Sequence, residues 1–184
     1  MAGLLFLALA YFAFGQASTS RSDAQGAADA AALAAANDVR QQLGEGLIED
    51  ISTPDEWESL LRGHGFLVHR ACDSAREFAA KNGADSLSCE AKNTPLPEFT
   101  VSVKNQESIG DTVIPGTTGL YAQAVASAVI EPRCRVEMGD ETKGSGEESP
   151  PVELHCNGEE FIVDTDQPDS VPDFDQLFVV RLSE

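Results

Sequence analysis

The first forty or so residues constrain this chain more than any other stretch. Met1–Phe14 (MAGLLFLALAYFAF) is apolar, Gly15–Ser22 (GQASTSRS) is small and polar, and Asp23–Leu43 (DAQGAADAAALAAANDVRQQL) is rich in alanine. No proline interrupts the stretch, and alanine is the strongest helix former. The sequence therefore predicts one nearly continuous helix over residues 1–43, roughly 40 residues or ~60 Å at 1.5 Å per residue. Its first third is greasy enough for lipid; its last third is not.

The remainder of the chain, residues 44–184, is long enough for one modest domain with its own core. The 184-residue chain carries 31 acidic against 12 basic residues, a formal charge of −19, and its first 20 residues hold no charged side chain. That asymmetry reads as an anchor attached to an acidic body. An acidic body repels nucleic acid and anionic headgroups, which makes both poor partners for it.

The apolar run is short. A span needs ~20 apolar residues to cross a ~30 Å hydrocarbon core, and fourteen helical residues reach only ~21 Å. Three readings compete. It is a signal-peptide core cleaved near Gly15, although no Lys or Arg precedes it; or a core helix of a soluble protein; or the outer part of a transmembrane helix that continues upstream. The third is the expectation carried forward, with Leu4, Leu5, Phe6, Leu7, Leu9, Tyr11, Phe12 and Phe14 as anchor residues.

In the alanine block, Gly26, Ala27, Ala30, Ala31, Ala34 and Ala35 recur at helical spacing and form a stripe of very small side chains. Such a stripe lets another helix backbone approach closely, as in small-xxx-small packing. The plainer reading is a solvated helix that simply propagates well.

The wording of residues 21–40, RSDAQGAADAAALAAANDVR, directly after an apolar run, resembles the start of the Flp (tight-adherence) pilus-assembly TadE/TadG-like family. Gln25, Ala27, Ala28, Asp29 and the run Ala30–Ala36 fall on that family's Q-x-A-A-D-A-A-A-L-A-A-A motif. The later segments are similar to pilin-like bodies of actinobacterial members. The resemblance implies a single transmembrane helix, a membrane-anchored pseudopilin-like role, and partners among other pilin-like or pilus-assembly membrane proteins. It also implies a single-pass place in the cell membrane with the body outside. The chain departs from the pattern in showing no basic leader and no prepilin-type processing site.

Cys72, Cys89, Cys134 and Cys156 form an even set outside the opening helix. Their order suggests two local bridges, Cys72–Cys89 and Cys134–Cys156, though three pairings are open. A zinc site with His69 and His155 competes, but no C-x2-C pair exists. Bridges would place the body in an oxidising compartment.

Beyond the opening helix the pattern predicts an α+β fold with short helices, an antiparallel sheet and two disulfides; the resemblance implies that this is a small pilin-like domain. Gly44 and Gly46 are expected to end the long helix. Thr53-Pro54-Asp55-Glu56 should start a second helix whose Trp57, Leu60 and Leu61 face the core. A third helix is expected over residues 69–82, with Ala71, Ala75, Phe78 and Ala79 on one side. Phe99, Val101 and Val103 alternate with polar residues as a half-buried strand. Further strands are expected at 86–91, 121–130, 133–138, 152–156, 161–163 and 177–182, and residues 139–150 should be a flexible acidic loop.

No nucleophile, metalloprotease or phosphate-loop motif occurs, so no catalytic residue, cofactor or small-molecule substrate is expected. The aspartates of the segment Asp164–Asp175 lack the ordered calcium-loop pattern and read as a solvated linker, with calcium binding left open. A second functional reading remains: a secreted acidic binding module released after signal cleavage.

Overall fold

The structure, a computed structural model, describes residues 2–49, 54–93, 95–109, 119–137, 152–164, 167 and 170–183. Helix α1 (Ala2–Glu49) runs 48 residues without a break. The small-polar segment inside it stays helical, and Thr19 turns its hydroxyl back onto the Gly15 carbonyl at 3.1 Å. Among the described residues no helix is long and apolar enough to cross a membrane. The expected long helix is therefore present.

Helix α2 (Pro54–Leu61) comes next, and Thr53, expected to cap it, lies outside the described residues. Trp57 and Leu61 are buried and Leu60 packs against the core, as the pattern required. Gly63 closes the helix, at φ +79° with its N–H on the Leu60 carbonyl at 2.8 Å. Helix α3 (Val68–Lys81) then returns beside α1. Its Ala71, Ala75 and Ala79 are fully buried, whereas Phe78, expected with them, is 42% exposed under the Lys81 ammonium.

The period then changes to two. Strands β1 (Ala84–Asn93), β2 (Pro97–Asn105), β3 (Gln123–Pro132) and β7 (Phe178–Ser183) form one antiparallel sheet in the order β1-β2-β3-β7. In β2, Phe99, Val101 and Val103 point inward, directly opposite Ala128, Ala126 and Ala124 of β3. The other face is polar: Thr100 hydrogen-bonds Ser127 at 2.7 Å and Ser183 donates to Glu98 at 2.8 Å. One wet face and one packed face explain the clean alternation. At the β1 edge the register slips between Ser86 and Ser88, leaving Leu87 half exposed in a bulge. Bulges of this kind blunt an open edge against further pairing.

A second sheet, β4 (Cys134–Glu137), β5 (Val152–Cys156) and β6 (Glu159–Val163), is antiparallel in that order. The β5–β6 hairpin turns on Asn157-Gly158, both with positive φ, the geometry that favours Asn-Gly in tight hairpins. The expected flexible loop 139–150 falls outside the described residues. A one-turn helix, α4 (Phe174–Leu177), leads into β7.

Two boundaries differ from expectation. Helix α1 passes through Gly44 and Gly46 to Glu49. Gly44 is a packing glycine, not a cap: a Cβ there would stand 2.4 Å from the Phe174 ring. Nor does the body begin at residue 44, because Ala27 through Leu47 of α1 contribute the centre of its hydrophobic cluster. The helix lies on α3 and along β2, β3 and β7. The core is helix on sheet, with α1 as its spine.

Candidate assembly interface

Three surfaces of α1 have different surroundings. The first is the arm. Leu4, Leu5, Phe6, Leu7 and Tyr11 are 65–83% exposed, so nothing in the described chain covers them. The side chains of Leu9, Phe12 and Phe14 lie outside the described residues. A run of large apolar side chains left in water costs roughly 25 cal/mol per Å², which marks the arm as a surface meant for another environment.

The second surface is the inward half of the alanine stripe. Ala27, Ala31 and Ala35, with Ala28, Ala32 and Ala36 beside them, are buried in the chain's own core. The same buried cluster holds Ala71, Ala75 and Ala79 of α3 and Ala126 and Ala128 of β3, together with Phe99, Val101 and Val103 of β2, and α1 packs on all three elements. Alanine against alanine brings backbones close together, the small-xxx-small geometry, but here inside one molecule. Ala31 and Ala35, expected to receive another protein's helix, are already occupied.

The third surface is the outward half. Gly26 is exposed with open space where a Cβ would stand, Ala30 is half-buried, and Ala34 keeps 8% of its surface. Ala30, Leu33, Ala34 and Asn37 floor an open groove of about 780 Å³, walled by Phe78 of α3 and Phe174. The sequence-predicted packing residues are thus divided. Ala27, Ala31 and Ala35 hold the fold together, and Gly26, Ala30 and Ala34 look outward.

Side chains fix the helix to the body at both ends of their contact. Near the top, Gln42 is buried; its carbonyl oxygen accepts the Leu67 N–H at 2.7 Å where the chain enters α3. Asp38 accepts from the Ser74 hydroxyl at 3.3 Å and faces Arg70 at 3.9 Å. At the lower end Asn105, only 8% exposed, donates its amide to the Ser20 carbonyl at 3.0 Å. Gln25 reaches the Val125 carbonyl at 3.5 Å close by. The Asn105 side-chain oxygen is buried with no donor, a desolvation cost of about 1–3 kcal/mol. Sequence reasoning missed Asn105, Gln42 and Phe174. The signal for Asn105 was an asparagine occupying an inward position of the strand's period.

The cysteines pair as Cys72–Cys89 and Cys134–Cys156, with Cα separations of 5.8 and 4.0 Å. The first staples α3 to β1, and the second joins directly opposed residues of β4 and β5. Both thiols of each pair are consumed, which removes the zinc alternative. His69 is exposed, and His155 sits between Glu137 and Glu160, the latter at 3.6 Å. Among the described residues no group of His, Cys, Asp and Glu is arranged to hold a metal ion. In the aspartate segment Asp166 and Asp169 lie outside the described residues. Asp164 is tied locally, its carboxylate accepting from Gln167 at 2.6 Å.

Among the described residues one carboxylate, Glu131, departs from its ordinary range. The Arg181 guanidinium, hydrogen-bonded across β3 and β7, holds Glu131 below the usual carboxylate value, against an opposing effect of burial. The contact also raises Arg181. This is a sheet-edge ion pair at the solvent surface.

Comparison with known families places a defined part of the chain. Residues 1–38 match the family described as putative Flp pilus-assembly TadE/G-like. From Ala2 on, the matched residues fall within helix α1 and include none of the sheet strands; the description printed for that family is one of pilus assembly. The comparisons with curated proteins and with solved structures yield no match.

Proposed function

We propose that the protein is a membrane-anchored, pseudopilin-like component of a Flp-type pilus or secretion assembly. Its apolar arm inserts into the bilayer, and the disulfide-braced body is displayed outside the cytoplasm. One observation carries the proposal. The arm is uncovered on the same uninterrupted helix whose later turns are the core of the body, and the family match spans both parts. A rigid helix transmits position: wherever the arm is held, the body is held with it.

Partner contact falls to the outward line Gly26, Ala30, Leu33, Ala34 and Asn37, because the inward alanines are used within the chain. Other pilin-like helices are the proposed partners, and the chain acts by packing and display, without a catalytic step. Two disulfides agree with an oxidising compartment.

The test is membrane fractionation with mass spectrometry of the mature N-terminus. The proposal expects Leu4–Phe14 on the membrane-associated protein. A soluble product beginning near Gln16 or Ser18 would establish the secreted binding module instead.

A further inference from the structure

The end of the body nearest the arm carries exposed apolar groups of its own. Hydrogen bonds fix where that end lies. The Asn105 amide holds the Ser20 carbonyl, and the Asn105 backbone N–H donates to the Ala122 carbonyl at 2.9 Å. Tyr121 and Leu120 adjoin Ala122, and the Leu120 carbonyl accepts the Ile109 N–H at 2.8 Å. This corner of the sheet is therefore anchored to α1 at Ser20, six residues or ~9 Å along the helix from Phe14. Leu120 is 52% and Tyr121 42% exposed, and the Lys104 ammonium stands 5.1 Å from the Tyr121 ring centroid.

We infer that this corner, Leu120 and Tyr121 with Lys104, rests on the lipid headgroup surface when the arm is inserted. The inference builds on the anchoring reading above. Three arguments identify the occupant as lipid. The patch is tied at Ser20 to the helix that carries the arm, and the headgroup region is ~5–8 Å thick on each side of a ~30 Å core, close to the ~9 Å offset. A tyrosine with its ring beside a lysine is the pairing found at bilayer interfaces, where an aromatic body sits at headgroup depth and a cation reaches phosphate. The same end carries the carboxylates of Asp23, Asp85 and Glu107, all exposed. Apolar and aromatic contact, not net charge, drives the docking, and a zwitterionic surface suffices. Seating the corner on the bilayer adds a second contact that limits tilting of the body about the arm.

The full chain in phosphatidylcholine vesicles with bromine high on the acyl chains tests this. Tyr121→Trp and, separately, Leu120→Trp report on the corner, and Tyr11→Trp reports on the arm. The native Trp57, 1% exposed in the core, serves as internal reference. Expected is a loss of about half of the emission added at position 121 or 120, with the Trp57 contribution unchanged, since interfacial aromatics lie within reach of shallow quenchers. Quenching at position 11 with none at 120 or 121 overturns the corner contact and leaves the anchor standing. Quenching at none of the three overturns both. Stronger quenching only after anionic lipid is added overturns the charge-independent contact.

Discussion

Asn105, the last residue of β2, donates its side-chain amide to the Ser20 carbonyl of α1 at 3.0 Å. It links the sheet to the helix just below the point where the helix becomes the spine of the body. Asn105→Ala should remove that tie and eliminate a buried, unpaired oxygen at the same time. The two effects offset, so stability should change by less than about 1 kcal/mol. Amide exchange at residues 105–109 should nonetheless quicken, as local opening there no longer breaks the tie. Unchanged exchange would show that Asn105 does not hold the corner.

The division of the alanine stripe gives paired substitutions with different outcomes. Ala31→Leu or Ala35→Leu forces a large side chain into an alanine-lined seam and should cost about 1–3 kcal/mol in urea unfolding. Ala30→Leu, facing the outer groove, should leave urea unfolding within about 0.5 kcal/mol of the parent. Any effect of Ala30→Leu on partner co-purification then reports on assembly and not on folding.

The glycines of α1 also separate. Gly26→Ala meets open space and should stabilise the chain by up to about 1 kcal/mol through helix propensity. Gly44→Ala must displace the Phe174 ring and should destabilise it by about 1–3 kcal/mol. Thermal unfolding of the two variants should move in opposite directions.

Replacing Cys72 and Cys89 together by alanine should cost about 3 kcal/mol in the chain-entropy view of a loop this size. Peptide mapping without reductant checks the pairing directly, and Cys72 linked to any cysteine other than Cys89 would contradict the fold.

The Glu131–Arg181 pair sets a small acid dependence. Because the folded pKa of Glu131 is lowered, its contribution is present above the unfolded carboxylate value and is lost as pH falls through the folded one. The raised Arg181 contributes below its unfolded value and matters only at extreme alkaline pH. The pair is exposed and screened, so Glu131→Gln should reduce the pH slope of stability in the acid range and do little at neutrality.

Much of this architecture was legible in the sequence where one period dominates. The long helix and the alternation of Phe99, Val101 and Val103 come from local pattern, and the order of the cysteines suggested the two bridges that the structure shows. Gly44 misled because a glycine near a helix end has two uses, cap or close approach. Only the position of Phe174, 130 residues later, decides between them. The stripe misled for a related reason. Periodicity shows that alanines share a face, but not whether the surface opposite belongs to this chain. The matching alanines of α3 and β3 were visible in the sequence, and their pairing with α1 was a tertiary fact.

The central claim is the proposal that the arm, inserted in the bilayer, holds a folded body at the membrane surface. Its most direct test is the fraction of protein left with envelope membranes after an alkaline wash, for the full chain and for a Leu5→Asp, Phe6→Asp variant. The account predicts retention of the parent and release of the variant, with the same thermal unfolding for both, since the arm makes no contribution to the described core. Release of the parent, or retention of the variant, would contradict it.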